Sequence, residues 1–250
     1  MLKKLSYFLL SAAALLTVAC EKNTIPAQDE PVVDGARIKL VHSAPETAGV
    51  NLFLNDKKIS ANTPTSTTIV QPITYGLTFP NSGANYAVVP AGQYTAKLST
   101  PASGTATSET VVSTQQIQLQ NEKYYSLLLG GTAAQPVTVL LNDELPGPDN
   151  SKFYVRFVNL IPGGQPYDLI LRGGSALLTG ITAGTASQFV AVDVNSNVAF
   201  DLRAAGTTTN IGTGFAFTSN AAGRVVTLIA QGLPGRTGAV APRLGGYVNR

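Results

Sequence analysis

Hydrophobic and polar residues alternate with a period of two along three short segments, residues 38–43, 50–55 and 93–98. Successive side chains of a β-strand point to opposite faces of its sheet, so this alternation predicts strands with one face directed inward. Residues 124–129 and 225–230 are apolar at most positions. Such short apolar runs indicate central strands of a sandwich, which are covered on both faces.

Turn-forming pairs separate these segments at regular intervals. Most contain Gly or Asn, which tolerate the backbone conformations of tight turns. They are Asn55-Asp56, Ala91-Gly92, Asn121-Glu122, Gly173-Gly174 and Ala222-Gly223. Beyond residue 20, no segment combines helix caps with a 3.6-residue period. The pattern predicts an all-β fold class, with two tandem immunoglobulin-like β-sandwich domains.

The chain contains an internal repeat. Residues 37–45 align with residues 154–162 at an offset of 117 residues. The offset falls to 104 further along and to 101 near the end of each copy, so the first copy has 13 additional residues, best placed within residues 62–85. Internal similarity of this kind indicates a duplicated structural unit.

The repeat and the turn signals divide the chain into five parts. Pro146-Gly147-Pro148 marks a break between the two copies. We expect a signal peptide at residues 1–19, a lipidated cysteine and flexible tether at 20–35, a first β-sandwich domain at 36–145, a linker at 146–150 and a second β-sandwich domain at 151–250.

The N-terminal residues have the pattern of an export signal. Lys3 and Lys4 precede an apolar segment, residues 5–16, that is too short to span a hydrocarbon core of about 30 Å. We therefore interpret residues 1–19 as a cleaved signal peptide. Thr17-Val18-Ala19-Cys20 resembles a lipobox, although leucine is usual at the position of Thr17. The alternative is an ordinary signal peptide followed by an incidental cysteine.

Lipidation of Cys20 predicts a lipoprotein. Acyl chains on this residue, palmitate among them, would anchor the protein to the outer membrane, on its periplasmic or its cell-surface side. Residues 21–34 are polar and contain two prolines, so we expect a flexible tether between the lipid and the first domain. Cys20 is also the only cysteine, which excludes an intrachain disulfide.

The charge balance does not suggest a nucleic-acid partner. Only 12% of the residues are charged, and removal of Lys3 and Lys4 leaves 15 basic against 14 acidic residues. No acidic residue follows Asp201, whereas five arginines do. These are Arg203, Arg224, Arg236, Arg243 and Arg250. We expect them to be solvated, and the alternative is a basic surface that contacts anionic envelope polymers.

Three short motifs resemble a known bacterial family. They are Val41-His42-Ser43-Ala44-Pro45, Val50-Asn51-Leu52-Phe53-Leu54 and Pro90-Ala91-Gly92-Gln93-Tyr94. In these motifs the chain is similar to DUF4397, a domain of unknown function that is common in secreted proteins and lipoproteins. The resemblance implies an exported β-sandwich in two copies and supplies no chemistry. The second copy departs from the motifs, since Asn159 stands where the first has His42.

No catalytic constellation is evident. His42 is the only histidine and no G-x-S-x-G motif accompanies it, so we interpret it as hydrogen-bonded to the nearby turn. The D-x-N-x-N sequence at residues 193–197 lacks the glycine and glutamate of a calcium loop. Asp143, Glu144 and Asp149 are expected to be solvated carboxylates of the linker rather than paired catalytic acids. We therefore predict no enzyme activity, no metal and no cofactor.

Aromatic and amide side chains in or beside the additional segment are the candidate ligand-binding residues. They are Tyr75, Phe79, Asn81, Asn85 and Tyr86. Aromatic rings can stack on a sugar and amides can hydrogen-bond its hydroxyls; the alternative is that the rings pack this loop onto the sandwich.

The sequence predicts a non-enzymatic cell-envelope lipoprotein that acts as a binding or adhesion module for a glycan or a protein. The alternative function is a structural spacer or accessory subunit of an outer-membrane complex.

Overall fold

The computed structural model of the chain describes residues 34–61, 70–80, 83–102, 108–194, 198–217 and 222–250. The expected signal peptide, Cys20, most of the tether and Asn81 lie outside these residues, as do residues 195–197 of the calcium-like sequence. Among the residues that the structure describes, no helix is long and apolar enough to cross a membrane.

The described residues form an all-β structure, as the alternation predicts. The strands of the first half are β1 (Ala36–His42), β2 (Asn51–Leu54), β3 (Lys57–Lys58), β4 (Thr78–Phe79), β5 (Ala87–Val89), β6 (Gly92–Thr100), β7 (Thr110–Leu119), β8 (Tyr124–Gly131) and β9 (Pro136–Asn142). Those of the second half are β10 (Lys152–Asn159), β11 (Tyr167–Leu171), β12 (Ala176–Ile181), β13 (Thr185–Ala186), β14 (Val190–Asp193), β15 (Val198–Ala204), β16 (Asn210–Phe217), β17 (Val225–Gln231) and β18 (Arg243–Val248). A short 3-10 helix, Gly238–Val240, precedes β18.

Each half contains two sheets, and the strand order is the same in both halves. In the first half, β4 and β5 pair with β1, which is followed by β8 and β9, and the second sheet has the order β3-β2-β6-β7. In the second half, β13 and β14 pair with β10, which is followed by β17 and β18, and the second sheet has the order β12-β11-β15-β16. The register also corresponds, because Lys39 lies opposite Ser126 and Arg156 lies opposite Thr227.

This strand order differs from that of a constant-type immunoglobulin domain. In such a domain the first and second strands share a sheet, whereas β1 and β2 lie in different sheets here. The first strand of each half instead pairs in parallel with a late strand, β1 with β8 and β10 with β17. Since parallel neighbours require a long connection, most of each half lies between its two parallel strands in the sequence.

Each pair of sheets encloses its own hydrophobic core. In the first half, Ile38 of β1 packs with Leu52 of β2 and Leu98 of β6. In the second half, Phe157 of β10 packs with Phe200 of β15. Residues of both sheets meet in each core, so the architecture is that of a β-sandwich.

The opposite face of β1 is interior as well. Lys39 and Val41 are 0% and 4% exposed, because the sheet that contains β1 packs against the sheet that contains β10. A third hydrophobic cluster joins the two halves. It contains Val41, Leu128, Val158, Leu160, Ile229 and Tyr247.

Part of the additional segment of the first half belongs to the sandwich. Ile73 is fully buried in the first core and forms an antiparallel bridge with Val50. The backbone N–H of Gly76 donates a hydrogen bond of 2.8 Å to the carbonyl of His42, at the end of β1. This segment therefore places Tyr75 and Thr78 next to the end of β1.

A candidate ligand-binding cleft between the two halves

A buried lysine occupies one end of the interface between the halves. The Nζ of Lys39 donates hydrogen bonds of 2.8 Å to the carbonyl oxygens of Gly83 and Val248. It also lies 4.6 Å from the centre of the Tyr86 ring and 5.3 Å from the centre of the Tyr247 ring. Carbonyl groups and ring faces thus replace water around this ammonium group.

Asp143 supplies negative charge to the same network. Its carboxylate accepts hydrogen bonds of 2.8 Å from the Tyr86 hydroxyl and 2.6 Å from the Ser126 hydroxyl, and it forms an ion pair with Arg156. Arg156 also donates a 2.9 Å hydrogen bond to the Thr227 hydroxyl. The expectation that Asp143 is solvated is wrong, since it is 2% exposed and a charge buried so deeply requires paired and hydrogen-bonded partners.

The network has an approximate twofold symmetry that follows the sequence repeat. Arg156 has the same place in β10 that Lys39 has in β1. Lys39 donates to the carbonyl of Val248 at the end of β18, and Arg156 donates to the carbonyl of Asn142 at the end of β9. Each half therefore extends a cation from its first strand to the last strand of the other half.

The chemistry of this network is structural. Burial lowers the pKa of Lys39 to about 8, although the charge of Asp143 opposes part of the shift. A lysine with such a pKa is a candidate base or nucleophile wherever a substrate can reach it. Lys39 is fully buried, so its role is to hold the two halves together.

A cleft of about 400 Å³ opens at the other end of the interface. Along β1, Lys39 of the network is followed by Val41 of the shared apolar cluster and then, just beyond the strand, by Ser43 of the cleft. Along β17, Ile229 of the cluster is likewise followed by Gln231 of the cleft. The apolar cluster thus separates the buried network from the open cleft.

Both halves contribute polar groups to the cleft. The first half supplies His42, Ser43 and Thr78, and the second supplies Thr213, Gln231 and Arg243. No Asp or Glu is among the described residues that line it. A lining of hydroxyls, an amide and one guanidinium favours a ligand with hydroxyl or anionic groups over a metal ion.

The Gln231 amide is placed to bind a ligand. Gln231 is 5% exposed, and its amide lies over Gly245, where an added Cβ would be 2.5 Å from Nε2. Within the described part of the chain this amide has no hydrogen-bond partner. Since Gln231 lines the cleft, its amide is available to hydrogen-bond a molecule that enters there.

Arg243 and Tyr75 lie together beside the cleft. The Cζ of Arg243 is 5.5 Å from the centre of the Tyr75 ring. The Tyr75 hydroxyl is buried and has no hydrogen-bond partner among the described residues. The contact holds the guanidinium against the ring and leaves its N–H donors available.

His42 lies at the cleft but both of its ring nitrogens are engaged. Nε2 donates a 3.2 Å hydrogen bond to the Ala48 carbonyl, and Nδ1 accepts one of 3.4 Å from the Ala44 N–H. Burial lowers the pKa of His42, which keeps the ring neutral. The role predicted for it, that of holding the adjacent turn, is confirmed, and these bonds leave no nitrogen for general-base catalysis.

The symmetry-related position on the other side of the interface is filled. There Leu160 stands in the place of Ser43, and Gly130 stands in the place of Gln231. Leu160 packs so closely that a Cβ added to Gly130 would be 2.8 Å from the Leu160 Cβ. The cleft opens on the side of Ser43 because this serine is too small to fill the space that Leu160 fills at the equivalent position.

The candidate residues from the sequence do not form one surface. Phe79 packs against the first core and Tyr86 belongs to the polar network. Asn85 is exposed, and Asn81 lies outside the described residues. Of the set, Tyr75 is the member beside the cleft. The contacts of Phe79 and Tyr86 favour the alternative that these rings pack the loop.

The calcium-like sequence has a different role in its described part. Asp193 forms an ion pair with Lys152, with 2.5 Å between Oδ1 and Nζ. Among the described residues, no group of three or more His, Cys, Asp or Glu side chains could hold a metal ion.

Comparison with known proteins identifies the family. The model of DUF4397, a domain of unknown function, matches residues 36–169. The chain belongs to this family. No curated protein matches the chain. The DUF4397 match contains the first-half wall of the cleft, with His42, Ser43 and Thr78, whereas the second-half wall lies beyond the match.

Of the polar residues that the second half contributes to the cleft, the sequence pattern drew attention to one. Arg243 belongs to the arginines that follow the last acidic residue. Gln231 and Thr213 had no such signal, because their importance depends on which residues the first half places beside them in the cleft.

Proposed function

We propose that this DUF4397 protein is a non-enzymatic binding or adhesion module of the cell envelope, and that its ligand occupies the cleft between the two halves. The observation that carries the proposal is the Gln231 side chain, which lines the cleft and whose amide has no hydrogen-bond partner among the described residues. The volume of about 400 Å³ lies within the range of about 300–1,000 Å³ for small-ligand sites.

The groups at the interface support binding over catalysis. The nitrogens of His42 hold a turn, and the amine of Lys39 is sealed between carbonyls and rings. Those two side chains are the natural candidates for a base or a nucleophile at the interface between the halves. The remaining lining groups hydrogen-bond ligands but do not transfer protons readily near neutral pH.

We further propose that residues 36–145 and 151–250 are two tandem copies of one sandwich domain, joined by residues 146–150, which is immunoglobulin-like in its two packed sheets although its strand order differs from the constant type. The identical strand orders of the two halves support this proposal.

A glycan array with the soluble fragment 21–250 tests the binding function. We expect discrete hits that are lost in Ser43→Leu, which introduces the residue that fills the equivalent space at Leu160. Asn85→Ala is the matched control, since it changes an exposed candidate residue away from the cleft. Hits that persist in Ser43→Leu would place the binding site elsewhere. An array without hits, together with a protein that co-purifies with the fragment, would instead support the accessory-subunit function.

We propose that the protein is held at the outer membrane by a lipid attached to Cys20. The signal-like residues 1–19 and the preceding Ala19 support it. Cys20→Ser is expected to release the protein from membranes or to leave its precursor unprocessed. Membrane fractionation and detergent partitioning measure this, and a processed, membrane-bound Cys20→Ser protein would contradict the anchor.

A further inference from the structure

Arg243 is a cation at the cleft without a counter-charge. No carboxylate of the described residues pairs with it, and no acidic residue follows Asp201 in the chain. Arg236, in the loop that precedes β18, shows the contrast, because its guanidinium pairs with Glu46 of the first half. One arginine of this region thus ties the two halves together while the other remains available.

The surroundings of Arg243 prepare it to bind an anion. The Cζ of its guanidinium lies 5.5 Å from the centre of the Tyr75 ring, and a guanidinium presents its N–H groups in a fixed plane. Such a planar fork binds a carboxylate through two parallel hydrogen bonds.

The amount of positive charge favours one carboxylate over a more highly charged group. Arg243 is the only cation among the described residues that line the cleft, because burial keeps His42 neutral. A phosphate carries more charge and usually gathers more than one cationic or backbone donor. A single carboxylate matches a single guanidinium.

The rest of the lining suits a polyhydroxyl ligand. Ser43, Thr78 and Thr213 offer hydroxyls, and Gln231 offers an amide that donates and accepts. Phe215 adds an aromatic surface to the same wall as Thr213. An aromatic ring can stack on one face of a sugar ring, and hydroxyls and amides can hydrogen-bond the hydroxyl groups at its edge.

We infer that the cleft binds an acidic sugar, a uronic acid unit of an anionic polysaccharide, with its carboxylate on Arg243 and its hydroxyls on Gln231 and the threonines. This inference rests on the proposed binding function and names its ligand class. It also gives a specific role to one of the arginines in the basic C-terminal part of the chain.

Isothermal titration of the mature chain with digalacturonic acid and with neutral digalactose tests the inference. We expect the acidic disaccharide to bind at least about tenfold more tightly than the neutral one, which corresponds to about 1.4 kcal/mol. Arg243→Gln should abolish this preference. The matched control Arg203→Gln removes the same charge from an arginine that pairs with Asn210 outside the cleft, and it should retain the preference.

Salt dependence of the unmodified protein gives a second measurement that does not depend on how a variant folds. Affinity for digalacturonic acid should fall between low salt and about 1 M salt, where the Debye length is about 3 Å. Affinity for the neutral disaccharide should not change with salt.

Three results would overturn the inference, and they separate it from the proposed function. Equal affinity for both disaccharides, with no effect of Arg243→Gln, contradicts the acidic ligand but leaves a sugar-binding cleft. Binding of neither, while the array shows other hits that Ser43→Leu removes, contradicts the ligand class but leaves the function. Preferential binding of the acidic disaccharide that survives Ser43→Leu contradicts the cleft as the site, and with it both proposals.

Discussion

His42 and Asn159 hold equivalent turns with different side chains. Asn159 accepts from the backbone N–H two residues later at 3.0 Å and donates to the carbonyl six residues later at 3.1 Å. His42 makes bonds with the same two spacings through Nδ1 and Nε2. Only the histidine can gain a proton near neutral pH, and a proton on Nδ1 removes the acceptor for the Ala44 N–H.

Stability should therefore depend on pH through His42. Its pKa is lowered in the folded protein, so the unfolded chain binds the proton more readily. The contribution is fully present above the ordinary pKa of about 6.5 and is lost as the pH falls below it. Urea unfolding at pH 7.5 and pH 5 measures the loss. His42→Asn, which copies the second half, should remove this part of the pH dependence, and an unchanged dependence would assign it to other groups.

Asp143 is the residue on which the buried network depends most. Asp143→Ala leaves Arg156 as a buried charge without its counter-charge and removes acceptors from Tyr86 and Ser126. We expect a loss of about 3–5 kcal/mol in the free energy of unfolding. Asp193→Ala, which breaks the exposed pair with Lys152, is the control and should cost far less. Equal losses in the two variants in chemical denaturation would show that the network contributes little.

At the scale of elements, β8 and β17 each serve two cores. Leu127 belongs to the first core and Leu228 to the second, whereas Leu128 and Ile229 both belong to the cluster that the halves share. Substitutions at neighbouring positions of one strand should therefore affect different clusters, one the core of a half and the other the shared cluster, since successive side chains face opposite sides of a sheet.

A double-mutant cycle should show this division. Leu128→Ala and Ile229→Ala should each cost about 2–5 kcal/mol, and together they should depart from additivity by about 0.5–3 kcal/mol because they share a cluster. Leu127→Ala and Leu228→Ala lie in separate cores and should be additive within about 0.5 kcal/mol. Unfolding of all single and double variants in denaturant measures both cycles. Additivity of the Leu128 and Ile229 pair would contradict a shared cluster.

The strand β1 illustrates what the sequence predicts and what it does not. Alternation predicted the strand and placed Ile38 and Leu40 in the core, because a period of two encodes one inward face. Alternation carries no information about what covers the other face. Burial of Lys39 depends on Val248, 209 residues away in the sequence.

The cleft could not be predicted from the sequence pattern either, because it is formed by residues from distant parts of the chain. It is lined by Ser43 and Gln231, whereas Leu160 packs against Gly130 at the equivalent positions of the other half. The repeat alignment contains both substitutions. Their meaning appears only when the two halves are seen to pack around an approximate twofold axis.

For the whole molecule, the two halves have separate cores but a common interface. Residues 34–145 and 146–250, expressed separately, should each show β-sheet circular dichroism because each retains its own core. Each fragment should melt at a lower temperature than the intact chain, and the two should associate when mixed. Disordered fragments would contradict two autonomous domains. Folded fragments that do not associate, as measured by calorimetry, would contradict a stabilising interface.

The hydrogen bond from Lys39 to Val248 has a consequence for how the chain matures. It joins the first strand to the last across 209 residues, and contacts so distant in sequence form late because of the entropy of loop closure. In a chain that emerges from its N-terminus first, the lysine remains hydrated until β18 arrives. Arrival of β18 is therefore the step that seals the interface. A chain shortened before Val248 would lose this hydrogen bond, and we expect its interface between the halves to open more readily to proteases.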